Sequence, residues 1–142
     1  MFPAETKILV VDDLKTIRTL MRDILKKLHY SNVIEAEDGY QALLLLKDAA
    51  ISQSPFGLII SDWNMPKKTG LSLLGDCQKD KAFKHIPFLM VTIESEREYV
   101  LKALQMGVSD FVVKPFTAKT IEHKLGSIWF RQLQKQSASA PP

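Results

Sequence analysis

Acidic, hydroxyl and amino side chains directly follow several short apolar runs of the chain. They are Asp12 and Asp13 after the first run, Ser61, Asp62, Trp63 and Asn64 after the third, Thr92 after the fourth, and Lys114 with Pro115 after the fifth. If these runs form one parallel sheet, their carboxyl ends share an edge, which is where such folds bind ligands. Three carboxylates, a hydroxyl and an ammonium would then converge on one crevice although they lie far apart in the sequence.

The chemistry that this set favours is phosphoryl transfer beside a divalent cation. Three carboxylates that lie close together repel one another, and at least one pKa rises unless a cation lies among them. Mg²⁺ would relieve the repulsion, since it takes oxygen ligands, keeps several waters and uses one or two carboxylates. The remaining carboxylate is then available as a nucleophile toward phosphorus.

We expect that nucleophile to be Asp62. The expected strand order places it at the centre of the sheet, between the Asp12 and Asp13 pair and the side of Thr92 and Lys114. A phosphoryl group on Asp62 would be neutralised by the metal and by Lys114, and it would accept a hydrogen bond from the Thr92 hydroxyl. Each residue type in the set then has a chemical role.

Each of these residues also has a structural explanation when taken alone. An aspartate pair between a strand and a helix serves as often as a helix cap as it does as a metal site. A threonine after a buried strand usually belongs to a turn, a lysine before a proline is usually solvated, and residues 61–66 could be a polar loop. Independent structural roles would rarely place all of them at one sheet edge, so together they favour a functional site.

The elements that would position the site alternate between strand and helix. Strands are predicted at residues 8–11, 33–34, 58–60, 88–91 and 111–113, and helices at 17–28, 41–50, 70–79, 96–106 and 118–134. Because the apolar runs are continuous rather than alternating, we expect both faces of the sheet to be covered. In the first helix, Arg18 and Arg22 lie on the side opposite the apolar stripe. The pattern predicts an α/β domain of three layers with right-handed crossovers.

Local signals set several element ends. Gly107 is expected as a left-handed helix cap and Thr117 as the N-cap of the fifth helix. Trp129 and Phe130 extend the apolar face of that helix and are expected to pack. Residues 135–142 show no periodicity and end in two prolines, which predicts a disordered tail.

The composition excludes several classes of protein. The chain has 142 residues, 46% hydrophobic and 25% charged, as in one soluble globular domain. Its net charge of +3 comes without a block of like charge, which is weak support for nucleic-acid binding. No apolar run approaches the roughly 20 residues of a membrane span. With Cys77 alone and no secretory signal, we expect a reducing, cytoplasmic location.

Five motifs in order resemble one family. They are Val10-Val11-Asp12-Asp13, Glu35-Ala36-Glu37-Asp38-Gly39, Ser61-Asp62-Trp63-Asn64-Met65-Pro66, Val91-Thr92 and Val113-Lys114-Pro115-Phe116. They look like the receiver domain of two-component response regulators, specifically of the single-domain chemotaxis kind, and the resemblance runs from about residue 7 to residue 130. It implies a flavodoxin-like (CheY-like) sandwich with strand order 2-1-3-4-5 and five helices, with residues 1–134 as the receiver domain.

The resemblance implies a phosphorylation switch. A histidine kinase would pass a phosphoryl group to Asp62. Mg²⁺ would be held directly by Asp13 and Asp62, by Asp12 through water, and by the main-chain carbonyl of Asn64. Thr92 and Lys114 would then respond to the phosphate and reshape the surface of the fourth helix, fifth strand and fifth helix, where a target docks. A flagellar motor switch protein is one candidate target, and a cis peptide bond is expected before Pro115.

Three positions depart from the family pattern. Phe111 stands where such proteins commonly carry a switching tyrosine, and it either packs as a buried aromatic or still switches without a hydroxyl. Ile93 follows Thr92 where a small residue is frequent, and its stiff β-branch would crowd the inward path of that ring. Thr69 replaces an acidic residue before the glycine of the Met-Pro loop. These departures bear on the usual motor-binding output and not on the chemistry at Asp62.

Three functional classes remain open. The leading hypothesis is a stand-alone, monomeric receiver, not an enzyme, that signals by binding proteins and neither nucleic acid nor membrane, since only one helix and a tail follow Phe116. The second is a Mg²⁺-dependent phosphatase with an aspartyl-phosphate intermediate, similar to haloacid dehalogenases, although that class separates its two aspartates by one residue. The third is a receiver-like scaffold that has lost switching, suggested by Phe111 and Ile93.

Overall fold

One parallel sheet organises the computed structural model of the protein, in which residues 1–93 and 97–139 are described. The described elements, in chain order, are β1 (Ile8–Val11), α1 (Lys15–Lys27), β2 (Val33–Ala36), α2 (Gly39–Ile51), β3 (Leu58–Asp62), α3 (Gly70–Lys79), β4 (Phe88–Thr92), α4 (Arg97–Gln105), β5 (Asp110–Val113) and α5 (Ala118–Ser139). The strand order is β2-β1-β3-β4-β5. The predicted flavodoxin-like fold is therefore confirmed.

Two apolar cores cover the two faces of the sheet. The even-numbered side chains of β1, including Ile8 and Val10, pack with α1 and α5. The odd-numbered ones, Leu9 and Val11, pack with α2, α3 and α4. Since successive side chains of a strand point to opposite faces, the continuous apolar runs supply both cores at once.

The register of the strands brings the polar residues to one edge. Val11 lies beside Ala36 of β2 and Ser61 of β3, and Asp62 lies beside Val91 of β4. Thr92 in turn lies beside Val113 of β5. Asp12, Asp62, Thr92 and Lys114 are thus at or next to the carboxyl ends of four neighbouring strands.

Side-chain caps explain where several helices begin and end. The Asp38 carboxylate accepts from the Gln41 amide at the start of α2, and Thr69 Oγ1 accepts from the Ser72 amide at the start of α3. Thr69, a departure from the family pattern, therefore serves as an N-cap. The predicted caps are also present, since Gly107 has φ of +97° and Thr117 Oγ1 accepts from the Thr120 amide.

Several predicted boundaries need correction. Helix α5 continues to Ser139, whereas the sequence predicted a tail from residue 135. Glutamine, lysine and alanine in this stretch are adequate helix formers without any apolar stripe, so periodicity alone ends the helix too early. Strand β3 extends to Asp62, which makes Asp62 its last residue. Residue 96, the predicted start of the fourth helix, and residues 140–142 of the predicted tail lie outside the described residues.

Two side chains differ from their predicted environment. Phe130 is 60% exposed, although Trp129 does pack, with its ring 5.1 Å from that of Phe2. Arg18, predicted on the side of α1 away from the apolar stripe, is buried. Its guanidinium is paired with Glu35 of β2, and that partner lets a charged group lie beneath the helix. Among the described residues, no helix is long and apolar enough to cross a membrane.

Candidate functional site

Asp12 and Asp13 follow β1 directly and differ in exposure. Asp12 is buried, and its main-chain amide donates to the Ala36 carbonyl at 3.1 Å. Its Oδ1 accepts from the Leu14 amide at 2.9 Å. This bond closes an Asx turn between the strand and α1, whose N-cap is Leu14. The Asp13 side chain is exposed, so the pair presents one framework carboxylate and one accessible carboxylate.

Asp62 joins this pair from the neighbouring strand. It is the last residue of β3 and is 8% exposed. Carboxylate oxygens of Asp12, Asp13 and Asp62 all lie within 4.8 Å of one another. The backbone around Asp62 is held closely, because the Gly70 amide donates to the Trp63 carbonyl at 2.9 Å and a Cβ at Gly70 would collide with the Asp62 carbonyl oxygen. A glycine is therefore required at the start of α3.

Lys114 links two of the carboxylates. Its Nζ lies 3.2 Å from Asp12 Oδ2 and 3.2 Å from Asp62 Oδ1. The backbone delivers this side chain from the end of β5, before a cis Lys114-Pro115 bond that confirms the prediction. Burial alone would lower the pKa of the Lys114 ammonium, but the Asp62 and Asp12 carboxylates outweigh it and raise the pKa. Lys114 is therefore charged at neutral pH.

The positive charge of the Lys114 ammonium only partly offsets the negative charge of the three carboxylates. The pKa of Asp62 is raised to about 6, first by burial and then by the Asp12 carboxylate, while Lys114 opposes the shift. An all-oxygen donor set with excess negative charge fits a hard divalent cation such as Mg²⁺. Because such a cation favours the ionised carboxylate, its binding would lower the pKa of Asp62 toward the ordinary range.

We predict that Asp62→Asn stabilises the metal-free protein at neutral pH. Between pH 3.8 and about 6 the folded protein holds a proton on Asp62 that the unfolded chain releases. The free energy of unfolding therefore falls as pH rises through this window, and the loss is complete above the folded pKa. Asparagine cannot ionise, so the variant escapes the loss. Thermal denaturation in chelator should show a melting temperature higher by on the order of 4 °C at about pH 8.

The pH dependence of this difference separates the charge effect from packing. At about pH 4 the difference should nearly vanish, because Asp62 is then protonated in the folded protein. Asp110→Asn, at the start of β5, is the matched control, since Asp110 pairs with Lys124 and Arg131 away from the cluster. An equal difference between Asp62→Asn and wild type at both pH values would contradict the assigned cause.

Thr92 is the last residue of β4, and Asn64 lies two residues after the end of β3. Thr92 is buried, and its hydroxyl donates to the Ile93 carbonyl at 3.2 Å. Contact with a phosphoryl group on Asp62 would require that hydroxyl to exchange its partner. Asn64 is exposed in the loop after β3, and metal coordination by its main-chain carbonyl stays a prediction.

Beside Thr92 an apolar cavity opens between α4 and β5. Its volume is about 730 Å³, and its lining includes Ile93, Leu101, Leu104 and Phe111. Phe111 is partly buried, and Lys124 Nζ lies 5.2 Å from its ring centroid. The predicted crowding residue, Ile93, is 46% exposed and lines the same cavity. The two unusual side chains therefore share one space, next to the strand that ends in Thr92.

Sequence reasoning missed two contacts around the site. Arg18 of α1 donates to the main-chain carbonyl of Asp12. Tyr99 of α4 packs against Trp63, the residue after Asp62, with ring centroids 5.4 Å apart. For the first the sequence held only part of the signal: a glutamate within β2 needs a cationic partner when its strand is covered, but nothing in the sequence shows that Arg18 is that cation or that it also reaches Asp12. The second had none, since one aromatic on each of two elements does not indicate pairing.

Comparisons with known proteins agree with this geometry. The family model described as "Response regulator receiver domain" matches residues 8–126. The chemotaxis protein CheY-3 of Vibrio cholerae is 42% identical over 125 residues, which cover 88% of this chain and 92% of the relative. The chemotaxis protein CheY of Pseudomonas aeruginosa is also 42% identical, over 88% of this chain and 97% of the relative.

A solved structure extends the similarity to three dimensions. The chemotaxis response regulator CheY4 of Vibrio cholerae superimposes with a TM-score of 0.75 and 32% identity, covering 87% of this chain and 98% of that one. The matched residues 8–126 include every described strand, the carboxylate cluster and Lys114.

Proposed function

Because the chain belongs to the family of response regulator receiver domains, we propose that it is a stand-alone phosphoacceptor in a two-component relay, phosphorylated on Asp62 by a histidine kinase. The observation that carries this proposal is the meeting of Asp12, Asp13 and Asp62 around Lys114 at the carboxyl edge of the sheet. The chain spans nearly the whole length of two chemotaxis relatives, which supports a role in chemotaxis or a related pathway. These findings favour neither the phosphatase nor the non-switching scaffold.

In the proposed reaction Asp62 is the nucleophile. The carboxylate oxygen other than Oδ1 attacks the phosphorus of a phosphohistidine, and the phosphorus–nitrogen bond breaks as the imidazole leaves. Lys114 Nζ, which contacts Asp62 Oδ1 at 3.2 Å, neutralises charge that develops on the transferred group. The Thr92 hydroxyl turns from the Ile93 carbonyl to donate to a phosphoryl oxygen. Hydrolysis of the acyl phosphate returns the carboxylate, which makes the protein a self-dephosphorylating signal carrier rather than an enzyme acting on others.

Mg²⁺ is part of the proposal. Asp13 and Asp62 would hold it directly, with Asp12 contributing through water and Asn64 through its carbonyl. When bound, it supplies positive charge to the phosphate oxygens and relieves the repulsion among the carboxylates. The exposed Asp13 side chain leaves the cluster open to an incoming ion and phosphodonor.

The proposed output surface consists of α4, β5 and α5. Thr92 adjoins the cavity between α4 and β5, so a change at Asp62 can reach this surface through the end of β4. Leu101 and Leu104 of α4 are 66% and 45% exposed, and Phe130 of α5 is also exposed. An apolar cavity with exposed apolar side chains at its edge favours a protein partner, and a flagellar motor switch protein is one candidate. The proposal includes a monomeric state and a cytoplasmic location, with neither nucleic acid nor a membrane as partner.

A capture experiment tests the signalling role. The protein is immobilised and exposed to an extract of its source cells with Mg²⁺ and beryllofluoride, a phosphoryl mimic, or with Mg²⁺ alone. We expect a flagellar switch component to be retained by wild type only with the mimic, and by Asp62→Asn in neither condition. Equal retention by wild type with and without beryllofluoride would support the non-switching scaffold instead.

A further inference from the structure

Arg18 is a buried cation that contacts the main chain of the site rather than its carboxylates. It lies in the first turn of α1 and is 8% exposed. Its Nε donates to Glu35 Oε1 at 3.0 Å, and its Nη1 donates to the Asp12 carbonyl oxygen at 2.8 Å. The guanidinium therefore ties α1, β2 and the residue after β1 together at one point.

The bond to Asp12 satisfies a guanidinium donor that the ion pair with Glu35 does not use. A buried guanidinium must be paired, and Glu35 supplies that partner. The guanidinium has further N–H donors, and Nη1 donates to the Asp12 carbonyl oxygen. That carbonyl belongs to the planar Asp12-Asp13 peptide group. Fixing its oxygen fixes the plane, and with it the direction in which the chain enters Asp13.

All the polar groups of Asp12 have partners in this arrangement. The amide donates to Ala36, the carbonyl accepts from Arg18, Oδ1 accepts from Leu14, and Oδ2 accepts from Lys114. Three of these four bonds are made by neighbours in the framework, and one by Lys114. Hydrogen bonds thus hold Asp12 through both its main-chain and its side-chain polar groups, and the exposed Asp13 carboxylate follows this fixed residue in the chain.

We propose that Arg18 is a positioning residue, which holds the Asp12-Asp13 peptide so that the Asp13 carboxylate is aimed at the cluster before a divalent cation arrives. The inference rests on the proposed function, because Mg²⁺ binding is what it would tune. Residues that orient metal ligands commonly change metal affinity by 10- to 100-fold when they are replaced. Arg18 acts one peptide bond away from Asp13, so we expect about the lower figure.

Loss of the Arg18 charge and loss of its positioning role predict opposite changes in Mg²⁺ affinity. Removing a nearby positive charge would, by Coulomb attraction alone, strengthen the binding of another cation. Loss of preorganisation would weaken it. Weaker Mg²⁺ binding by a variant that lacks the Arg18 charge can therefore be assigned to geometry.

Arg22 offers a matched control on the same helix. It also pairs with Glu35, with Nη2 3.0 Å from Oε2, but its second acceptor is the Val33 carbonyl at the start of β2. Arg22 therefore shares the carboxylate with Arg18 and has no bond to Asp12. Glu35 keeps one arginine partner in either single variant, so neither leaves its charge unpaired.

The test is a Mg²⁺ titration of four proteins, wild type, Arg18→Met, Arg18→Lys and Arg22→Met. Binding is monitored through the NMR amide resonances of each protein, below its melting temperature. We expect Mg²⁺ affinity to fall about tenfold in Arg18→Met and less in Arg18→Lys. The Asp13 amide should also move in the metal-free spectrum of Arg18→Met. Arg22→Met should bind Mg²⁺ within about twofold of wild type.

The outcomes separate this inference from the proposed function. Arg18→Met that is folded and binds Mg²⁺ as wild type does, or Arg22→Met that is weakened as much as Arg18→Met, would overturn the positioning role. If Arg18→Met does not fold, unchanged affinity in Arg18→Lys overturns it and weakened affinity supports it. Wild type that binds no Mg²⁺ would overturn the proposed function and this inference with it.

Discussion

Asp62→Asn is expected to abolish phosphoryl uptake. When wild type is incubated with Mg²⁺ and acetyl phosphate, its intact mass should show one added phosphoryl group, while the variant shows none. The amide that replaces the carboxylate is a poor nucleophile, and no other residue of the cluster occupies the central position next to both Asp12 and Lys114. The wild-type adduct should survive acid and be lost in base, as an acyl phosphate is.

Asp110→Asn is the matched control for this experiment. Asp110 also lies in a strand and pairs with Lys124, but it is at the opposite end of its strand from the cluster. Its variant should take up phosphate as wild type does. Uptake that persists in Asp62→Asn would move the acceptor to Asp12 or Asp13 and overturn the assignment of roles within the cluster.

Lys114→Met is expected to slow phosphoryl uptake about a hundredfold, the effect of removing one preorganised donor from a developing charge. Methionine keeps much of the length of the side chain and loses the ammonium that contacts Asp12 and Asp62. Since that ammonium lowers the pKa of Asp62, its loss raises the pKa further. As the solution is made more acidic, the rate of uptake should therefore begin to fall at a higher pH in the variant than in wild type.

The rate is measured by following the mass of the adduct over time across a range of pH. Lys124→Met serves as the control, because Lys124 is similarly half-buried and is paired with Asp110 of β5. Its rate should stay within about twofold of wild type. If Lys114→Met and Lys124→Met slow uptake equally, Lys114 has no specific role in the transfer.

The meeting of the candidate site residues could be predicted from the sequence because the strand topology alone places them at one edge of the sheet. Once Ile8–Val11 and Leu58–Asp62 are neighbouring parallel strands, Asp12 and Asp62 must end at the same edge. The continuous apolar character of these runs reports burial of both sheet faces, as the two cores confirm. Short-range signals also sufficed for Gly107 and Thr117, where one backbone angle or one hydroxyl determines the local structure.

What the sequence did not reveal depends on tertiary pairing. Arg18 looks solvent-facing by periodicity, and only the packing of α1 against β2 shows that Glu35 lies within reach. Helix α5 passes its predicted end because no residue in 135–139 stops it, although none adds to the apolar stripe. Phe130 is apolar by type yet 60% exposed, which periodicity cannot distinguish from a buried position at the helix margin.

The departures from the family pattern fall into two groups. Thr69 has a local role, since its hydroxyl caps α3. Phe111 and Ile93 line the cavity beside α4, so they bear on the proposed output surface, and neither belongs to the carboxylate cluster. Chemistry and output can therefore be tested separately in this protein, the first at Asp62 and Lys114 and the second by partner capture.

Chemical trapping of the acyl phosphate identifies the phosphorylated residue. Wild type is incubated with Mg²⁺ and acetyl phosphate, reduced with borohydride, which converts an aspartyl phosphate to homoserine, and digested for peptide mass spectrometry. We predict homoserine at position 62 and unchanged aspartate at positions 12 and 13. Homoserine at position 12 or 13, or at none of the three in protein that carries the phosphoryl group, would show that Asp62 is not the acceptor.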